Sequence, residues 1–388
     1  MTWLVRALTC ATVFVAPLEG YLLQVHGQLA KVPPALLLAV WAVLRVRQRR
    51  VPEPHPVHAV LALLAVVLLA SSAVHSGGAF TLDYLLRWLP FLLITVVLVD
   101  VVSREVPIRA VLTATVAGAV VAAVGALYGM VTEGQTRAAG PLEDPNDLAY
   151  FLVAALPLLL ALRHRVLPAL AAVVLVAGAA ATFSRGGALA LTAAVAWLLA
   201  RRALPLKALA GGVAALAVIG VAAVLFAGPE LDRAVREKTH IAATNVDTRE
   251  LRWQAAVRMV ADHPGLGLGP GGFRAGYPAA SNNAEIDEQT PVAHNMYLEV
   301  AAELGVPGFA LFAALLALTA VVSERVRRAS PDPLPVLAVQ ASLIAVVVAS
   351  TFLSQQYYLP LWSLVAVVAA ADLRLRRTSD DACAPRDQ

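Results

Sequence analysis

Charge is scarce in this 388-residue chain: Asp, Glu, Lys and Arg make up 14% of it, while 59% is hydrophobic. Mean hydropathy is +0.73. Soluble globular domains carry about 25% charged residues, so an ordinary soluble enzyme and a disordered chain are both excluded. Cysteine is nearly absent. Cys10 lies in an apolar run and Cys383 in a polar tail, which excludes a disulfide scaffold. Lysine is rare too, at 3 against 27 arginines. The net charge of +4 does not indicate nucleic acid as a partner, because the arginines stand in short clusters between apolar runs, the topology pattern of membrane proteins. There is no internal repeat, and no low-complexity segment beyond a general Ala/Val/Leu bias. What remains is a multi-spanning membrane protein.

A helix crosses the hydrocarbon layer with about 20 apolar residues. That ruler predicts an all-α polytopic helical bundle with about twelve spans, at 3–23, 33–46, 57–75, 80–101, 108–131, 147–162, 166–183, 186–200, 206–228, 294–322, 333–352 and 355–373. Arg6 and Glu19 make the first the least secure crossing, and it lacks the small-residue cleavage site of a removable signal peptide. Arginine or lysine clusters follow every even-numbered span: Arg45 to Arg50, Arg104 and Arg109, Arg163 and Arg165, Arg201 to Lys207, Arg325 to Arg328, and Arg374 to Arg377. The short odd-numbered connections hold only Lys31, Arg137 and Arg185. The positive-inside rule then puts both termini in the cytoplasm. The expected organisation is nine spans over 1–228, one long extracytoplasmic loop over 229–293, three spans over 294–373 and a polar, disordered tail. Within the loop, Asp247 is suited to cap a helix that runs from Thr248 to Asp262 and stops before Pro264. Leu251, Ala255 and Met259 form its apolar stripe, and Arg249, Arg252 and Arg258 its polar face.

Ionisable residues near hydrocarbon cost about 2.5–3.5 kcal/mol each on insertion scales and usually face a cavity or a partner. On the predicted outer side they gather at Arg87, at Arg137 with Glu143 to Asp147, at Arg185, at Arg249 and Arg252, and at His294. Arg185 stands in an outward turn flanked by glycines, Phe183-Ser-Arg-Gly-Gly187, where a ligand can approach the backbone; it could equally snorkel to lipid headgroups. Arg87 could instead pair with Asp83 one helical turn away. His294 could be a helix-terminus residue; no second His or Cys stands at metal-ligand spacing from it, and no metal site is expected. The stretch Gly267-Leu-Gly-Pro-Gly-Gly272 matches G-x-G-x-x-G, but it follows a helix and contains proline, so the dinucleotide reading fails on context. An outward pocket rich in arginine, with one titratable base, fits transfer of a group from a phosphorylated carrier. Arginine forks hold the diphosphate and histidine, with an ordinary pKa near 6.5, takes the proton. A membrane transporter of an anionic solute is the alternative. It would place polar residues and helix breaks near the bilayer midplane in paired halves.

Four segments in order carry a resemblance. They are Arg137-Ala-Ala-Gly-Pro-Leu-Glu-Asp-Pro-Asn-Asp-Leu-Ala149, Phe183-Ser-Arg-Gly-Gly-Ala188, Arg249-Glu-Leu-Arg-Trp253 running into the glycine-rich turn that ends at Phe273, and His294-Asn-Met-Tyr-Leu-Glu-Val-Ala-Ala-Glu-Leu-Gly305. Together they resemble the O-antigen ligase/polymerase family of bacterial envelope glycosyltransferases, over roughly residues 130–320. The resemblance implies transfer of a glycan from an undecaprenyl-diphosphate carrier to an acceptor hydroxyl of a glycan, lipid or protein. That transfer takes place at the outer face of the cytoplasmic membrane, without metal or other cofactor. Carried over by motif, Arg185 and Arg249 contact the diphosphate, and His294 is the base or positions the acceptor, with Asn295 beside it. Arg137 and Asn146 match positions of structural or substrate-contacting role. Asp144 departs from the family's frequent asparagine before Pro-Asn. Arg87 and Arg252 join the substrate-binding set by predicted depth and by their place on the loop helix.

Overall fold

The structure is a computed structural model. It describes residues 2–383 other than 143, 163–165, 286–289 and the part of 205–247 outside 207, 210–212, 214, 217 and 221. Every described element is helical. The order is α1 (Thr2–Val15), α2 (Glu19–Val25), α3 (Val32–Gln48), α4 (Pro56–Val74), α5 (Thr81–Arg104), α6 (Ile108–Glu133), α7 (Pro145–Ala155, continued as a 3-10 turn over Leu156–Ala161), α8 (Val166–Ala181), α9 (Arg185–Ala200), α10 (248–262), α11 (Gly272–Ala280), α12 (Met296–Ala329), α13 (Leu334–Ala349) and α14 (Leu359–Cys383). Six segments, Thr2–Val25, Leu29–Gln48, α4, α5, α6 and α12, are long and apolar enough to cross a membrane, and four shorter apolar helices stand among them. Each predicted span coincides with one of these helices or with α14, except 206–228, which lies largely outside the described residues. Asp247, the expected cap of α10, also lies outside them.

Local chemistry sets the helix ends. Asp144 caps α7 by accepting from Asn146 N at 2.8 Å, Ser184 caps α9 by accepting from Gly187 N at 3.2 Å, and Asn295 caps α12 by accepting from Tyr297 N and Leu298 N at 3.1 Å each. Trp88, Phe312, Tyr357 and Trp362 interlock edge to face, joining α5, α12 and α14 in the core. Where α1 crosses α6, only glycine fits: a Cβ on Gly118 would sit 2.1 Å from the Phe14 carbonyl oxygen.

Two boundaries differ from expectation. The tail expected to be disordered from residue 378 is instead helical to Cys383, because Arg374 donates to the Val102 and Val106 carbonyls and Arg377 to Glu53 and the Ser103 carbonyl, which holds the helix against α5. The last predicted span begins at 359 rather than 355. Residues 350–358 form a non-helical strap, in which the polar side chains of 354–358 turn inward to carboxylates.

Helix α12 is broken at Gly305, whose φ is 67°. Val306 N donates to the Pro264 carbonyl at 2.9 Å, and Pro307 has no N–H. The Ala302 and Glu303 carbonyls thus lose their helical donors. They are satisfied instead by Leu268 N at 2.9 Å and Gly269 N at 3.0 Å. The glycine-rich turn is therefore a clasp on α12. At Gly267, φ +65°, a Cβ would meet the Glu303 backbone at 2.5 Å, so only glycine permits this approach.

Candidate active site

The N-termini of α7, α9 and α12 and the strap lie at one end of the bundle, and the loop helices α10 and α11 pack there. Arg137, in the connection before α7, donates from Nε to the Thr182 carbonyl at 2.9 Å and from Nη2 to Asn146 Oδ1 at 3.4 Å. Asn146 returns its side-chain N–H to Asp144 at 2.8 Å. Arg137 and Asn146 are thereby tied to the turn that carries Arg185. Arg185 is the first residue of α9; it is exposed and makes no hydrogen bond or ion pair among the described residues. It does not sink into the bundle: Ser184 and Gly187 bury the turn beneath it.

Arg249, half-buried on α10, has Asp144 and Arg252 as its charged neighbours. Burial lowers its guanidinium from the ordinary value, Asp144 opposes that, and Arg252 lowers it further. An arginine remains charged under such shifts, so Arg249 brings a partly desolvated cation beside the α7 N-terminus.

Arg252 departs from the polar face expected of it. The buried face of α10 is Arg252, Ala255, Ala256 and Met259, and Leu251 is exposed. The reason is Glu285, which accepts from Arg252 Nε at 3.1 Å and Nη2 at 3.0 Å and also from the Tyr277 hydroxyl. Burial disfavours the Glu285 carboxylate, but these donors outweigh it and hold Glu285 below its ordinary range. Burial and the adjacent carboxylate push Tyr277 up to about 12. The Arg252 fork is thus bonded to Glu285 within the loop, whereas the sequence pattern places it on the polar face of α10.

His294 follows directly. Its φ is 48°, an uncommon conformation for a non-glycine residue that persists only when its surroundings hold it. The preceding residue is gripped on both sides: Ala293 N donates to Glu299 Oε2 at 3.0 Å, and the Ala293 carbonyl accepts from Trp253 Nε1 at 3.0 Å. Asn295 spends its side-chain oxygen on the α12 cap.

Arg87 stands elsewhere. It is exposed on α5, with its guanidinium 4.8 Å from the Tyr84 ring centre and no ion pair to Asp83 among the described residues. No described contact links it to Arg137, Arg185 or Arg249. Arg274 of α11, not singled out from sequence, lies over Phe80 at 4.5 Å.

Sequence reasoning also missed the carboxylates behind the site. Glu299 and Glu303, one helical turn apart on α12, are 2% and 1% exposed. Glu299 accepts from Gln356 Nε2 at 2.6 Å and from Ser354, and Glu303 from Tyr357 at 3.4 Å. Asp147 of α7 accepts from Tyr358 at 2.8 Å and from Gln355. The strap 354–358 thus feeds every polar side chain to one of three carboxylates. Acidic residues inside an apolar span were the available signal. Among the described residues no group of three His, Cys, Asp or Glu side chains is placed to hold a metal ion.

Hydrogen bonds join the Arg185 turn to Arg137, Asn146 and Asp144, Asp144 acts on Arg249 through its charge, and Trp253 of α10 bonds the residue before His294. No curated protein matches the chain. Residues 170–313, which take in Arg185, Arg249, Arg252, His294 and Asn295, match the family model described as O-antigen ligase, so over that stretch this chain of membrane-length apolar helices is similar to that family.

Proposed function

We propose that the chain is a lipid-linked glycan glycosyltransferase of ligase or polymerase type. It moves a glycan from undecaprenyl diphosphate to an acceptor hydroxyl at the outer face of the cytoplasmic membrane, with both termini cytoplasmic. The observation that carries this reading is the presence, at one end of the bundle, of two arginines that have no carboxylate bonded to them among the described residues, Arg185 and Arg249, together with a histidine held in a fixed, left-handed turn. In the transfer, the acceptor oxygen attacks the anomeric carbon as its proton passes to His294. The carbon–oxygen bond to the carrier breaks, and the leaving diphosphate takes the bond's electrons and rests against Arg185 and Arg249. Arginine suits that role because its fork donates two aligned hydrogen bonds and keeps its charge. Arg137 and Asn146 support the Arg185 turn and line its approach.

The transport reading gains nothing from the α12 break. The carbonyls freed there are occupied by Leu268 and Gly269 amides, so they are not open to an ion.

The test is the glycan profile of cells with the gene, without it, and with His294→Ala. Loss of transfer makes carrier-linked glycan accumulate while finished polymer disappears. Accumulated single repeats indicate a polymerase, and long unattached chains a ligase. An unchanged profile in a strain with no second copy overturns the reading.

A further inference from the structure

We infer that Glu299 is a positioning residue that sets the His294 turn through the Ala293 peptide; the inference rests on the role proposed above for His294. Glu299 lies one helical turn into α12, where its side chain points back toward the helix N-terminus and meets the last residue before His294. Its Oε2 accepts the Ala293 N–H at 3.0 Å, while Trp253 Nε1, from α10, holds the Ala293 carbonyl at 3.0 Å. The two peptide groups that flank the Ala293 Cα are thus pinned, the first by Glu299 of α12 and the second, which leads into His294, by Trp253 of α10. His294, the next residue, is left in a left-handed conformation with φ 48°. Glu299 is itself fixed by Ser354 and by Gln356 at 2.6 Å, and Met296 N is shared between the Ser350 and Leu353 carbonyls at 3.0 and 2.9 Å. The strap that does this lies outside residues 170–313. Through Gln355 and Tyr358 it also holds Asp147, next to Asn146. It therefore keeps the His294 turn in register with the arginine-bearing corner.

Glu299 is 2% exposed and all its described bonds run to protein groups, so its work is geometric. An amide could do the same work. In Glu299→Gln the side-chain oxygen still accepts Ala293 N–H, and the new NH2 finds Gln356 Oε1, which is buried without a partner among the described residues. Leucine could not.

The experiment measures transfer from carrier-linked donor by the full-length protein in detergent, with kcat, donor KM and pH profile for the wild type, E299Q, E299L, W253F and H294A. A displacement of about 1 Å costs on the order of a hundredfold in rate. Expected are a fall in kcat of about that size for E299L, with donor KM within about twofold, and E299Q within about threefold of wild type with an unchanged pH profile. W253F, which releases the carbonyl of the same residue, gives the same kcat signature and carries the test if E299L is not recovered folded. A loss in E299Q equal to that in E299L, or a shifted pH limb in E299Q, makes the carboxylate itself the working group and overturns the inference. So does wild-type turnover in E299L or W253F with H294A inactive. Full activity in H294A overturns the reading of the site as well, which separates the two failures.

Discussion

At the end of the bundle opposite the site, arginines are consumed by carboxylates. Arg45 donates to Asp100 and, at 2.7 Å, to Glu105; Arg104 reaches Asp100 at 3.2 Å; Arg376 reaches Asp372 at 2.8 Å; and Arg377 reaches Glu53. His55 joins the group, 3.4 Å from Asp372. At the site end, Arg185 and Arg249 have no bonded carboxylate among the described residues, although Asp144 stands near Arg249. The residue type is the same, yet one set is closed by carboxylates and the other, among the described residues, is not. Arginine near a membrane boundary is therefore informative only together with its partner. Arg252 shows the limit of the contrast, since it lies at the site end but is closed by Glu285.

Substitutions at the two ends test that contrast. Arg185→Ala should abolish glycan transfer, a loss of at least about a hundredfold, while thermal unfolding in detergent moves by less than about 0.5 kcal/mol. A well-folded, active Arg185→Ala protein breaks the comparison. Arg45→Ala should do the reverse. It takes the bonded cation from Glu105 and leaves Asp100 with Arg104 as its cation, and should destabilise by about 3–5 kcal/mol, read as a lost folded fraction on size exclusion rather than as a specific catalytic defect. Glu285→Gln should cost about 1–3 kcal/mol, because the buried Arg252 fork then meets a neutral amide where the carboxylate stood. Its pH dependence has a definite sign. The native Glu285 carboxyl sits below its ordinary value of 4.5, so its contribution is complete above that value and is lost as pH falls through the lowered native one. Stability of the wild type should drop along that acid limb, and the Gln variant should lack this component. Arg249→Lys, which keeps charge but not the fork, should slow transfer about tenfold with folding unchanged; equal rates would reduce Arg249 to a point charge.

The spans could be read from hydropathy because each helix must satisfy its own backbone in lipid, so long apolar runs have one structural outcome. The loop helix could be read from the run 248–262 that ends before Pro264, and Arg185, Arg249 and His294 stand out as candidates from local motifs. The burial of Arg252 could not: the i, i+3, i+4 pattern places an arginine outward unless a carboxylate 33 positions away comes to meet it. Nor could the strap, since 355–358 extends an apolar span in sequence and becomes a separate segment only because Asp147, Glu299 and Glu303 accept its donors.

The sequence by itself determined the class of protein, the membrane-spanning helices and the arginine and histidine candidates, all of them set by interactions within a few residues along the chain or with the bilayer. Only the tertiary structure decided which arginines are neutralised, that the glycine-rich turn clasps a broken α12, and that Glu299 and Trp253 hold the peptide before His294. Those outcomes rest on hydrogen bonds between groups distant in sequence, and no local pattern encodes which distant donor will arrive.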